Sequence, residues 1–160
     1  MTQSIADQSL RTPRTLQTGH VGLNVTDLGK SLPFYLRVFG LEVMAEGDED
    51  GRRWAFLARD GRLVLTLWQQ SGATFSTSSA GLHHLSFQVD TMEDVEATRA
   101  VLLELGADFA HDGVVAHGEG AGSGGIFFAD PDGIRLEIYA PTGAEDAPAP
   151  AGSAPTCGFF

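Results

Sequence analysis

Val21, Leu23 and Val25 alternate with His20, Gly22 and Asn24, and the alternation returns sixty-four residues later, where Leu85, Phe87 and Val89 oppose His84, Ser86 and Gln88. A period of two puts each set on its own face of a β-strand. After the first strand, Thr26-Asp27-Leu28 offers an N-cap, and Leu32, Tyr35, Leu36 and Phe39 recur at helical spacing up to Gly40. Pro33 lacks the N–H that a helix starting at Leu28 would use, so Gly29 to Ser31 are expected in a looser first turn. Strand-like runs follow at 41–45, 53–58 and 63–69, separated by Gly47-Asp48-Glu49-Asp50-Gly51 and by Asp60-Gly61.

The second half repeats this order. A strand over 84–90 leads to Thr91, whose side chain can cap a helix with Glu93 and Asp94 in its first turn, suiting the helix dipole. Val95, Thr98, Leu102 and Leu105 mark one helical face, and Gly106 marks the stop. Residues 107–110 and 114–116 are weaker strand candidates than 125–129 and 134–139, which the turn Asp130-Pro131-Asp132-Gly133 joins. Each half therefore reads β-α-β-β-β. One four-stranded sheet with one helix leaves a face uncovered, so the expected fold is α+β, two βαβββ modules (about 17–70 and 81–141) forming curved sheets around a cleft. Residues 1–16 are polar and 142–160 are rich in Pro, Ala and Gly, so both are expected as disordered tails outside the core.

With 160 residues, one globular unit is the expectation. A net charge of −11 argues against nucleic acid or an anionic membrane as partner, since both would repel it. No stretch of about twenty apolar residues offers a membrane span, and the start Met1-Thr2-Gln3-Ser4-Ile5-Ala6-Asp7-Gln8 lacks the apolar segment of a secretory leader. A cytoplasmic protein with a small-molecule substrate is expected. The single cysteine, Cys157, leaves no internal disulfide and no multi-thiolate metal site.

Glu137 lies between Leu136 and Ile138 on the last strand, on the face of Arg135 and Tyr139. A carboxylate on a half-buried strand needs a cation, hydrogen bonds or a metal, and Arg135 is the simplest partner. Combined with His20 and His84 at matching positions of the repeated strands, Glu137 makes a set of two imidazoles and one carboxylate suited to an open divalent site. His83 shares parity with Leu85 and Phe87 and is set aside as a ligand, and His111 in its polar turn is expected to face solvent. Gly118 to Gly125 contains a G-x-G-x-x-G match, but a strand rather than a helix follows, which rules out a dinucleotide site and leaves a lid or a loose hairpin. Trp54, Phe56, Trp68, Phe127 and Tyr139 are candidates for an aromatic substrate pocket with Arg135 beside it, whereas Arg52 and Arg53 are expected in solvent.

Four segments, His20 to Leu28, Phe34 to Leu41, His84 to Val89 and Phe128 to Glu137, resemble the vicinal oxygen chelate family across residues 17 to 141. That family includes glyoxalase I, extradiol dioxygenases, fosfomycin-modifying transferases, methylmalonyl-CoA epimerase and bleomycin-binding proteins. The resemblance implies His20, His84 and Glu137 as metal ligands. At the fourth family position, within Leu63 to Leu67, the same-face residues Val64 and Thr66 replace the carboxylate of glyoxalase I, which weakens that assignment. The extradiol signature is matched in part, with His117 as a candidate acid-base group, a loop one residue long, and Phe127 where the pattern has Tyr. The implied protein is a homodimeric Fe(II) extradiol-type dioxygenase of a small aromatic diol or enediol. The alternatives are a lyase, isomerase, epimerase or thiol transferase using Mn(II), Ni(II) or Zn(II), and a metal-free sequestering protein.

Overall fold

The computed structural model describes residues 15–151. Its elements run β1 (Val21–Val25), α1 (Leu28–Phe39), β2 (Glu42–Glu49), β3 (Arg52–Arg59), β4 (Arg62–Gln69), β5 (Leu85–Gln88), α2 (Met92–Glu104), β6 (Val115–Ala116), β7 (Gly124–Ala129) and β8 (Arg135–Ala140). Two four-stranded mixed sheets result, ordered β1-β4-β3-β2 and β5-β8-β7-β6, with β1–β4 and β5–β8 as the parallel pairs. The α+β fold with two βαβββ modules is thus present. The tails at 1–14 and 152–160, with Cys157, lie outside the described residues.

Local chemistry moves three boundaries from their expected places. Helix α1 starts at Leu28 despite Pro33, because the Asp27 side chain accepts from Gly29 N at 2.8 Å and Gln69 Oε1 accepts from Leu28 N at 2.7 Å. Those partners satisfy first-turn donors, and exposed Pro33 turns its ring to solvent. Strand β2 runs on through Gly47 to Glu49 and turns at Asp50 and Gly51, whose φ values of 56° and 83° suit a tight hairpin. Residues 107–110 supply one isolated bridge, Phe109 to Phe128, rather than a strand.

Leu23, Val25, Leu65 and Leu67 from the first sheet join Ile126, Phe128, Leu136 and Ile138 from the second in one core, with α1 and α2 between them. Phe39 packs on Phe87 and Phe128, with ring centroids 4.7 and 6.3 Å apart. A polar staple crosses the same boundary. Asp132 accepts from Thr26 N at 2.8 Å and also from the Thr26 hydroxyl, and Tyr35 donates to Asp130 Oδ2 at 2.9 Å. Asp130 Oδ1 also accepts from Asp132 N and Ile134 N, fixing the turn into β8. Burial raises the Tyr35 phenol well above its ordinary value, and the charges of Asp130 and Asp132 add to that. Burial likewise raises Asp130, against the pull of its hydrogen bonds.

Since both sheets give one face to this shared core, their other faces point away from it on two sides. No helix among the described residues is long and apolar enough to cross a membrane. Residues 142–151, read from composition as the start of a tail, lie against the second sheet: Ala144 is buried and donates to Gly122 O, and Pro148 O accepts from Ala116 N.

Candidate metal centre

On β8, Leu136 and Ile138 enter the core, so the pleat turns Arg135, Glu137 and Tyr139 to the other face, where Ser86 and Gln88 of β5 pair with Glu137 and Tyr139. Glu137 is only 3% exposed. Its Oε1 lies 2.7 Å from His117 Nε2, and its Oε2 lies 3.7 Å from His84 Nε2. His117 follows the end of β6, its backbone N donating to Ser123 O at 3.0 Å while its Nδ1 lies 3.0 Å from Ser123 Oγ. The Tyr139 hydroxyl donates to Gln88 Oε1 at 2.9 Å, and its ring lies 5.2 Å from that of His117.

His84 titrates below its ordinary value, chiefly through burial, with His83 and Arg135 pushing the same way and Glu137 opposing. That shift favours the neutral imidazole, the form that binds a metal. Two donors on one first-row ion, each about 2.0–2.2 Å from it, stand roughly 3.0–3.6 Å apart at right-angled to tetrahedral spread. The 3.7 Å between His84 Nε2 and Glu137 Oε2 is within a slight side-chain rotation of that. Chemistry and spacing both fit a divalent ion.

The first sheet carries a different face. Trp54, Phe56 and Trp68 cluster there, with centroids 4.9 to 6.2 Å apart. Gly47 makes this possible, since a Cβ at that position would stand 2.6 Å from the Trp54 ring. The indole lies across β2 where any side chain would displace it. Beside the rings, Thr66 accepts from Trp68 Nε1 at 3.0 Å, so the residue at the position of the missing fourth ligand braces the aromatic wall instead. Gly22 of β1 pairs with Thr66, and His20, one residue before β1, is exposed.

The structure thus unites His84, Glu137 and His117 and gathers Trp54, Phe56 and Trp68, but does not bring the two groups together. Among the described residues, no three His, Cys, Asp or Glu side chains converge as a metal cluster.

Several expectations change. His83 does not follow strand parity, because β5 begins only at Leu85; it is exposed and its Nδ1 lies 2.8 Å from His84 Nδ1. His111 turns inward, its ring edge-on to Phe127 at 5.5 Å and its Nε2 buried without a hydrogen-bond partner among the described residues. Phe127 itself is fully buried beneath His111 and His117, so it packs under the site rather than lining an open pocket. Arg135 is half-buried beside Glu137, and Arg52 and Arg53 are exposed. The glycine-rich segment is a closed hairpin, tied by Ala121 N to Gly118 O and Ala144 N to Gly122 O. Ser123 and Gly47 escaped the sequence reading: a serine among glycines and a glycine in a turn-like acidic run carry no local signal of their partners.

A family model, Glyoxalase/Bleomycin resistance protein/Dioxygenase superfamily, matches residues 17–138. The chain is 30% identical over 125 residues to a catechol-2,3-dioxygenase of Bacillus subtilis (strain 168), covering 76% of this chain but only 40% of that protein. It is 29% identical over 124 residues to a trivalent organoarsenical cleaving enzyme of Bacillus sp. (strain MD1), covering 78% of this chain and 73% of that one. Among solved structures, a glyoxylase/bleomycin resistance protein/dioxygenase domain from Frankia sp. EAN1pec superposes with a TM-score of 0.67 at 27% identity, covering 79% of this chain and 98% of that chain.

Proposed function

This chain belongs to the glyoxalase/bleomycin resistance protein/dioxygenase superfamily, and we propose that it is a metal-dependent enzyme of the extradiol type, using Fe(II) on a small aromatic diol or enediol. The observation that carries this reading is the His84 imidazole 3.7 Å from the buried Glu137 carboxylate, whose other oxygen is held by His117. His20 of a second copy of the chain completes the ligand set in a homodimer. Support for that arrangement comes from the outward direction of both site-bearing faces, which lets the first sheet of one copy face the second sheet of another. When bound, Fe(II) supplies open positions for two adjacent substrate oxygens and for dioxygen.

The residues divide the remaining work. Glu137 and His84 hold charge and geometry at one wall, while Trp54, Phe56 and Trp68 offer an aromatic wall to a ring. His117, expected from sequence as an acid-base group, has both ring nitrogens engaged, so it holds Glu137 rather than moving a substrate proton. Similarity to the catechol-2,3-dioxygenase supports ring cleavage.

One observation favours a second reading, Lewis-acid isomerisation, lyase chemistry or thiol transfer with Mn(II), Ni(II) or Zn(II). Phe127 is buried and has no hydroxyl where the extradiol pattern has a phenol, so that donor to substrate is missing. Anaerobic loading with Fe(II), elemental analysis, and oxygen uptake on adding catechols test the choice. Stoichiometric iron and substrate-dependent oxygen uptake are expected. Metal binding without oxygen uptake would transfer the assignment to the Lewis-acid chemistries, and absence of binding for all four ions would overturn both.

A further inference from the structure

Ser123 sits in the run Gly118 to Gly125, which the proposed chemistry leaves unexplained. Its backbone oxygen accepts from His117 N, and its Oγ meets His117 Nδ1 at 3.0 Å, so main chain and side chain both grip one histidine. The flanking glycines fix where it stands. A Cβ at Gly124 would meet the Ala144 Cβ and Val115 O at 2.6 Å, and one at Gly125 would lie 2.1 Å from Ile138 O. Both contacts are too short for any side chain, so β7 closes against β6, β8 and residue 144 only with glycines there, and Ser123 is delivered directly to His117.

The consequence is electronic. A carboxylate only accepts, so the His117 Nε2 at 2.7 Å from Glu137 Oε1 carries the ring proton. In the neutral ring Nδ1 is then an acceptor, and the Ser123 hydroxyl is its donor. We propose that Ser123 is a positioning residue: it fixes His117 as the Nε2–H tautomer, which pins Glu137 through Oε1 and leaves Oε2 turned to His84. The inference rests on the metal reading above for its functional meaning, but the hydrogen-bond chain is testable without metal. Outer partners of metal-bound groups typically change affinity by about 10–100-fold.

The test uses the full chain, wild type and Ser123→Ala, with Ser123→Thr to restore the hydroxyl. In metal-free protein, ¹⁵N-histidine spectra should show His117 protonated at Nε2, with the Nδ1 signal moved in Ser123→Ala and returned in Ser123→Thr. Equilibrium dialysis with Mn(II) and, anaerobically, Fe(II) should show about tenfold weaker binding for Ser123→Ala, restored by Thr. An unchanged His117 spectrum in Ser123→Ala, or wild-type metal binding within twofold, overturns the proposal, as does a Thr variant no better than Ala at matched thermal stability. If the wild type binds neither ion while the tautomer shift and its rescue appear, the metal reading fails and the positioning role of Ser123 stands.

Discussion

The two modules share an element order yet present opposite kinds of surface. The outer face of the first sheet is aromatic: three rings tilted against one another and a glycine that makes room for one of them. The outer face of the second is polar and wired: Glu137 is nearly inaccessible, His117 and Ser123 hold one of its oxygens, and His84 stands by the other. Repetition supplies the scaffold twice, but the aromatic cluster lies on one copy and the buried carboxylate with its histidines on the other.

The strongest way to break that comparison is to remove Glu137 and, separately, His20, the proposed ligands from the two modules. Glu137→Ala should lower turnover by about 10³-fold if the ion supplies several kcal/mol of transition-state stabilisation, with metal content falling alongside. His20→Ala should match it, though His20 sits on the other sheet. A co-refolded equal mixture of the two inactive variants should regain about a quarter of wild-type activity, since half the dimers are mixed and each mixed dimer holds one intact site. No recovery on mixing would show that each site forms within one chain.

The next largest effect concerns the staple that holds the two modules together. Tyr35→Phe leaves Asp130 Oδ2 without its donor in a buried position, which should destabilise the chain by about 1–3 kcal/mol in chemical denaturation. The sign of the pH dependence follows from the raised phenol. The unfolded chain ionises Tyr35 near pH 10 while the native state does not, so this contribution is full below about pH 10 and is lost as pH rises through the higher native value. Tyr35→Phe should remove that alkaline loss.

A smaller change sharpens the aromatic side. Gly47→Val must displace the Trp54 indole; loss of one aromatic contact at about 0.5–1.5 kcal/mol predicts a KM for catechol raised about two- to tenfold, with metal content unchanged. An equal fall in metal content would mean that the two faces are not separate in function. Smallest of all is Arg37→Ala, which removes an exposed ion pair to Glu104 between the two helices. Stability should shift by less than about 1 kcal/mol and activity should not change, since exposed pairs are weak.

Alternation and helical spacing are set by neighbours two to four residues apart, and so the order of strands and helices in both halves, the facing of Glu137 away from Leu136 and Ile138, and the glycine stops were all legible along the chain. Pro33 and Gly47 were misleading for the opposite reason. Their local preferences were overridden by Gln69, forty-one residues from the helix start it caps, and by an indole on the neighbouring strand. The sequence by itself determined the two modules and the residue types available for metal and ring binding. Tertiary structure alone decided that the modules pack core to core and that Ser123 reaches His117. Packing direction and long-range hydrogen bonds depend on which surfaces bury each other in three dimensions, and no periodicity along the chain encodes that choice.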